Sequence, residues 1–398
     1  MRQNTLIIVI GIAVSQAPLG CAKRNEAPSN TIARQSDLAC YEAQRLPAGG
    51  AIVAIGEDGR VLIETPGALT IFDGTTFKPL AVPAGYASIS GRAMNNHGQV
   101  VGFAESFAGE LRAFAWYDGI PTAIAVPDSM GVDINDSGHA VGVTGASGIS
   151  VADRRGFLFR DGVTTYFDLV GPSEGGSSGR GGVYGISTDD RVVACYYFFL
   201  DSKGCFIWSE DGVVDLVTAT GRPFVPYQVN RAAHVLGSEP VRLWRDGVRT
   251  EIRAPDGAFV QSLDLTDNDM VLGLGTAPFL WRNGVSSPVS LPEARAVNER
   301  GRVIGAAGPR SPLVWENGVA RSLPVPDDLA VATAGFINNA GMIAGTGSTE
   351  TGEDRQPIPL LWRPTGCGGS DAGPSADAGP PGNDDSGPPE PPPEEPFE

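Results

Sequence analysis

From about residue 50 to residue 363 the apolar positions of this chain come in short bursts, among them VLI, QVVGF, FAWY and FLWR. Gly, Asn, Asp and Pro separate the bursts, and none extends at helical spacing over three turns. Short β-branched and aromatic runs punctuated by turn residues predict strands. The runs also recur. GEDGRVLI (from Gly56), NNHGQVVG (Asn95), NDSGHAVG (Asn135), STDDRVVA (Ser187), NRAAHVLG (Asn230), TDNDMVLG (Thr266), NERGRVIG (Asn298) and NNAGMIAG (Asn338) are versions of one phrase. Each is followed by a second: LTIFDG, FAWYDG, FLFRDG, FIWSEDG, RLWRDG, FLWRNG, LVWENG and LLWRPTG. All 6 Trp (Trp116, Trp208, Trp244, Trp281, Trp315 and Trp362) stand in the same slot of that second phrase.

Each unit spells four strands. Small or apolar residues before the Asn form strand A, and a tight turn leads into a β-branched strand B. The Trp-bearing strand C follows, then Asp-Gly or Asn-Gly, a strong hairpin signal because both residues need positive φ. Strand D ends near a Pro. Four antiparallel strands in roughly 40 residues make one propeller blade, which must stack on neighbours to bury its faces. The expected fold is all-β: a single β-propeller of eight blades over residues 40–367, with helix nearly absent. The eighth unit ends after strand C, and EAQRLP (42–47) resembles the strand D endings RSLP and VSLP. The N-terminal segment is therefore expected to complete the last blade.

Cys40 and Cys367 flank that junction, so a bridge between them would lock the ring. Cys195 and Cys205 are expected to face each other across the B–C hairpin of unit four. With Cys21 set aside, the other cysteines pair evenly, as an oxidising compartment permits.

The order small residue, Ile-Asn, Gly, Val-Val-Gly, then Phe-Leu-Trp and a Gly turn resembles the bacterial extracellular repeat family called HAF, over nearly all of residues 48–367. Arg112-Ala113-Phe114 is the nearest approach to the triplet that names the family. The resemblance implies an exported propeller-like protein and supplies no catalytic residue.

The termini differ in character. MRQNTLIIVIGIAVSQAPLGC has a basic start and a short apolar run, as a secretory signal does. Pro18-Leu19-Gly20-Cys21 resembles a bacterial lipoprotein signal, with Pro18 where that family usually places Leu. The resemblance implies lipidation of Cys21 and, with Ala22 following, the outer membrane. The alternative is a cleaved signal and a soluble periplasmic or secreted protein. Residues 1–20 are thus read as a signal peptide, 21–39 as a polar tether, and the Pro/Gly/acidic segment 368–398 as a disordered tail. The net charge of -17 argues against nucleic acid and against electrostatic attraction to an anionic membrane.

Candidate chemistry is sparse. Gly175-Gly176-Ser177-Ser178-Gly179 matches G-x-S-x-G, but its Gly/Ser-rich surroundings are not the strand-to-helix elbow that exposes a nucleophile. His97 falls in an A–B turn, while His139 and His234 begin strand B and read as solvated strand residues without metal-ligand spacing. The Asp of the C–D turns (Asp73, Asp118, Asp161, Asp211, Asp246) are explained by backbone conformation. The Trp column is explained by packing between blades. No catalytic residue, metal site or cofactor is expected.

Loop length points elsewhere. The A–B and C–D turns on one face are short. The B–C and D–A connections on the other vary, as binding surfaces on rigid scaffolds do. Tyr196, Tyr197, Phe198 and Phe199, within the Cys195–Cys205 hairpin, form the candidate ligand patch, with Arg154 and Arg155 as polar partners. The expected function is a non-catalytic binding or scaffolding module at the cell envelope. It would be monomeric, hold a protein or glycan ligand, and meet the membrane only through its lipid. The alternative is an enzyme acting on an envelope or extracellular polymer at the channel mouth.

Overall fold

The computed structural model describes residues 40–365 apart from 48, 147–153, 170–180, 198–202, 217–223, 238–239 and 352–355. All belong to the second of two compact units, Leu38–Glu398. The described residues form eight four-stranded antiparallel sheets and no helix. In seven sheets the strands A to D are consecutive in sequence. In the eighth, Val331–Ile337, Ile343–Ser348 and Ile358–Thr365 are A, B and C, and Cys40–Arg45 is D. Cys40 pairs with Thr365 and Arg45 with Leu360, so the N-terminal segment does supply the missing strand.

The A strands are Ala51–Ile55, Tyr86–Met94, Ser129–Ile134, Gly182–Ile186, Pro226–Val229, Gln261–Leu265, Glu293–Val297 and Val331–Ile337, for blades 1 to 8. Each contacts the A strands of both neighbouring blades, and the eighth contacts the first. They therefore form a closed inner ring around an axis. The chain is an eight-bladed β-propeller.

The core is partitioned accordingly. Eight buried clusters fall one to each interface between blades. The column residue of strand C always joins the interface with the preceding blade. Trp116 packs on Leu62 and Leu69, Trp362 on Ile304 and Val314, and Trp281 on Leu236 and Leu243. Phe72 and Phe159 fill the slot where blades 1 and 3 lack Trp. Trp116 Nε1 also donates to Ala81 O at 2.9 Å and Trp362 Nε1 to Pro324 O at 2.7 Å, tying each to the end of the neighbour's strand D. Trp208 is the half-buried member and stacks on Phe167 with ring centroids 4.6 Å apart.

Every A strand carries a β-bulge at the same place, which the sequence pattern did not reveal. The extra residues are Val53, Arg92, Val132, Tyr184, Tyr227, Leu263, Arg295 and Gly335. A bulge leaves one residue unpaired and bends its strand. It also accounts for the Gly that closes most B-strand phrases. A Cβ on Gly102 would lie 2.0 Å from Ser90 O, and one on Gly305 would lie 1.8 Å from Glu293 O. The repeated VVG is thus the complement of the bulge opposite.

Cys195 and Cys205 are directly paired across strands B and C of blade 4, with Cα atoms 4.0 Å apart, and form a disulfide. Cys40 is also disulfide-bonded; Cys367, its expected partner, lies outside the described residues, as do Cys21 and the 175–179 loop. Positive φ at Asp118, Asp161 and Asp246 matches the hairpin reading, whereas in blades 1 and 4 it falls on Gly74 and Gly212 instead of Asp73 and Asp211.

Candidate functional site

The axial channel has two ends, and they are built differently. At the A–B end, each turn opens with Gly56, Asn95, Asn135, Ser187, Asn230, Thr266, Asn298 or Asn338. Asn95 shows the logic. Its Oδ1 accepts from the backbone N–H of His97 and Gln99, both at 3.0 Å, closing its own turn. Its Nδ2 donates to the carbonyl of Asn135 in the next blade at 2.8 Å. Asn135 passes the bond to Ser187 O, Asn230 to Thr266 O, Asn298 to Asn338 O and Asn338 to Gly56 O. Where the leading residue is Gly, Ser or Thr, a neighbour substitutes. Glu57 N donates to Asn96 Oδ1, Thr188 N to Arg231 O, and Asn268 Nδ2 to Glu299 O. All eight interfaces are bridged, so the polar groups of this mouth are largely committed to holding the ring.

His139 and His234 belong to this framework, contrary to their expected solvation. His139 Nδ1 lies 2.8 Å from Asp190 Oδ1 and His234 Nδ1 2.7 Å from Asp269 Oδ1, each across an interface. Asp190 and Asp269 replace the usual Gly at a positive-φ turn position (φ 64° and 63°), and Asn135 and Asn230 also donate to them. A carboxylate in the next turn, paired with His in the preceding blade, was not visible in either unit read alone.

Arg231 crosses this mouth. Its guanidinium meets Asp136 two blades away at 2.5 Å and Asp267 at 3.2 Å. Behind it is a cavity of about 240 Å3 whose lining includes Asp133, Ile134, Ile186 and Leu265. Asp133 and the equivalent Asp264 brace the inner ring. Asp133 accepts from Ile186 N at 3.0 Å and Asp264 from Val297 N at 2.9 Å. Burial pushes both carboxyls above 3.8, and the backbone donors offset this only in part. The folded protein therefore binds these protons more tightly than the unfolded chain does. Stability should fall as pH rises above 3.8 toward the raised folded values. Melting temperatures across that interval should show a flatter decline for Asp133→Asn with Asp264→Asn than for the parent. An unchanged slope would remove these two groups as its source.

The opposite end, where the B–C and D–A connections emerge, carries the large exposed aromatic side chains of the described residues. Phe107, Tyr227 and Phe259, 84%, 45% and 72% exposed, all lie there. Tyr227 and Phe259 border a cleft of about 600 Å3 between blades 5 and 6, together with Gln228, Gln261, Ser262 and Leu263. Tyr227 and Leu263 are bulge residues, so the feature missed in the sequence also shapes this cleft. A residue whose exposure follows from a bulge cannot be separated from its alternating neighbours by periodicity alone.

The candidate patch on blade 4 is placed in part. Tyr196 packs toward Phe206, its ring centroid 6.2 Å away, and burial raises its hydroxyl pKa with a further contribution from Asp215. Tyr197 pairs with Lys203 at the end of strand B, and Phe198 and Phe199 lie outside the described residues. Arg154 donates to Gly181 O at 3.1 Å. Arg155 reaches Asp168 at 3.2 Å and lies over the Tyr166 ring.

No family model matches the chain, and no curated protein does. Solved structures do. Puromycin hydrolase is 14% identical with a TM-score of 0.39, over 76% of this chain and 59% of its own length. The propeller domain of the Trilobed protease from Pyrococcus furiosus is 9% identical with a TM-score of 0.42, over 70% and 93%. The extracellular domain of a hybrid two-component system from B. thetaiotaomicron is 10% identical with a TM-score of 0.38, over 81% and 40%. The likeness is one of propeller architecture.

Proposed function

We propose that this propeller is an exported, lipid-anchored binding or scaffolding module of HAF-type repeats, engaging a ligand through its B–C and D–A face without catalysis. The supporting observation is the contrast between the two ends of the channel. Polar groups at the A–B mouth are committed to blade-to-blade bonds. Exposed aromatics gather at the other end, where they contribute area for contact at low entropic cost. The Cys195–Cys205 disulfide fits an oxidising compartment.

Binding to arrays of glycans and peptides, followed by recovery of the bound species, tests the central claim. Capture of a ligand that is recovered intact is the expected result; recovery of a cleaved product would favour an enzyme. For the anchor, Cys21→Ala should move the protein from the membrane fraction to the soluble one. Unchanged fractionation would mean that no lipid is attached there.

A further inference from the structure

Two of the eight blade interfaces start from the same pair of charged residues and end differently. Arg191 and Arg60 stand at equivalent places, immediately before strand B of blades 4 and 1. Each is steadied by the carboxylate two residues earlier: Arg191 Nε lies 2.9 Å from Asp189, and Arg60 Nε lies 3.1 Å from Asp58. In blade 4 the far end of the guanidinium crosses into blade 5. Its Nη1 lies 3.5 Å from Asp246 in the C–D turn, and its Nη2 donates to Ala232 O at 2.8 Å. The counterpart of Asp246 in blade 2 is Asp118, in the same Asp-Gly turn.

Arg60 also leans into the next blade: a Cβ on Gly98 of the blade 2 A–B turn would lie 2.6 Å from its Nη1. It does not complete the bridge. Among the described residues, Nη1 and Nη2 of Arg60 and the carboxylate of Asp118 have no hydrogen-bond or ionic partner. Both residues line a cleft of about 470 Å3 between blades 1 and 2, whose apolar part includes Ile71, Phe77 and Leu80. Both are accessible there, the Arg60 side chain being 38% exposed and Asp118 exposed. Lys78 and Asp73, which also line the cleft, pair with each other at 2.9 Å. One cation and one anion are thus left open where the equivalent pair of blades 4 and 5 closes on itself.

We propose that this cleft binds a free α-amino acid with an apolar side chain, its carboxylate on the Arg60 guanidinium and its ammonium on Asp118. The two open charges decide the class. A purely anionic ligand would bring its charge against Asp118, and a cation would bring its own against Arg60; a ligand of both signs satisfies the two together. A guanidinium whose Nε is occupied still offers two parallel donors at its far end, the geometry a carboxylate accepts. An α-amino acid carries ammonium and carboxylate on one carbon, which leaves its side chain to cover Ile71, Phe77 and Leu80. The volume of about 470 Å3 lies within the usual range for small-molecule sites. The cleft opens on the A–B and C–D side, so the inference does not rest on the ligand face proposed above.

Calorimetric titration with L-leucine and L-phenylalanine, and with the amide and the N-acetyl derivative of each, tests this. The amide lacks the carboxylate and the N-acetyl derivative lacks the ammonium, while both keep the apolar side chain. At least one of the free amino acids should bind. Its two derivatives should each bind at least about tenfold more weakly, the loss expected when a hydrogen bond to a charged group is removed. Asp118→Asn and Arg60→Met should weaken the free amino acid to a similar degree. Asn already fills the same turn position in blades 6 and 7, where Asn283 and Asn317 have φ 50° beside 51° for Asp118, so Asp118→Asn should melt as the parent does. Asp246→Asn, at the bridge that is closed, should leave binding unchanged. Failure of both amino acids to bind overturns the inference, as does binding that ignores Asp118→Asn and Arg60→Met. A derivative that binds as tightly as its free amino acid overturns the pairing of the two charges with one ligand.

Discussion

Trp362→Ala should lower the unfolding free energy by about 3–5 kcal/mol, the usual loss when a large buried aromatic is truncated. Trp362 has no exposed surface, fills the interface between blades 7 and 8, and holds Pro324 O through its indole N–H. The cavity would open in the blade that closes the ring, where strand C also supports the strand borrowed from the N-terminus. Trp208→Ala should cost clearly less, because that indole is only half buried and stacks on Phe167. Urea denaturation of both variants checks the order. A loss below about 1 kcal/mol at Trp362, less than the deletion of much smaller buried groups commonly costs, would show that the column is not core.

That column is also where sequence and structure agree most closely. Eight phrases with a bulky residue in one slot sufficed to count blades, because each blade must bury the same surface against its neighbour. Strand D of the last blade was legible for a related reason: Gln44-Arg45-Leu46 repeats an ending whose own unit lacks it. The Cys195–Cys205 register followed from aligning one hairpin with a shorter one. What the sequence concealed depends on contacts between units. The Asn95-to-Asn135 bond joins side chain to backbone across an interface, so Asn alone reads as a turn residue. His139 acquires its partner from Asp190, a residue that looks like an irregular turn in the following unit. The bulges at Tyr227 and Leu263 leave only the indirect trace of a Gly opposite them. The candidate cleft inherits this difficulty, since most of its residues lie on the A strands of blades 5 and 6, at and beside these bulges. Loop length drew attention to blades two to four, whereas the described cleft lies in blades 5 and 6.

Cys40→Ser should produce the second large effect. Joined to Cys367, Cys40 would close a loop around the whole ring. The loop-entropy model assigns such a bridge roughly 5–6 kcal/mol, as an upper figure, against roughly 2.7 kcal/mol for the short Cys195–Cys205 loop. Cys40→Ser is therefore expected to cost more than Cys195→Ser, as measured by denaturation under oxidising conditions. Adding a reductant should bring the parent close to a variant that combines Cys40→Ser with Cys195→Ser. Equal losses for the two single variants would argue against ring closure through Cys40. Peptide mapping without reduction identifies its partner directly, and a Cys40 peptide joined to Cys21 would exclude both the proposed bridge and a free thiol for lipid.

The pairing of Cys40 with Thr365 fixes more than the count of strands. Strand D of the last blade begins, and its strand C ends, at the C–D corner. The described chain therefore enters and leaves the ring beside the A–B and C–D turns. A tether attached through the N-terminus would pull on that side. If Cys21 carries the lipid proposed for it, the tether joins the ring on its bonded side, and the aromatic-bearing end is the one farther from the point of attachment. Attachment and recognition would occupy opposite poles of the axis, so a partner could approach Phe259 and Tyr227 without passing between the protein and its anchor.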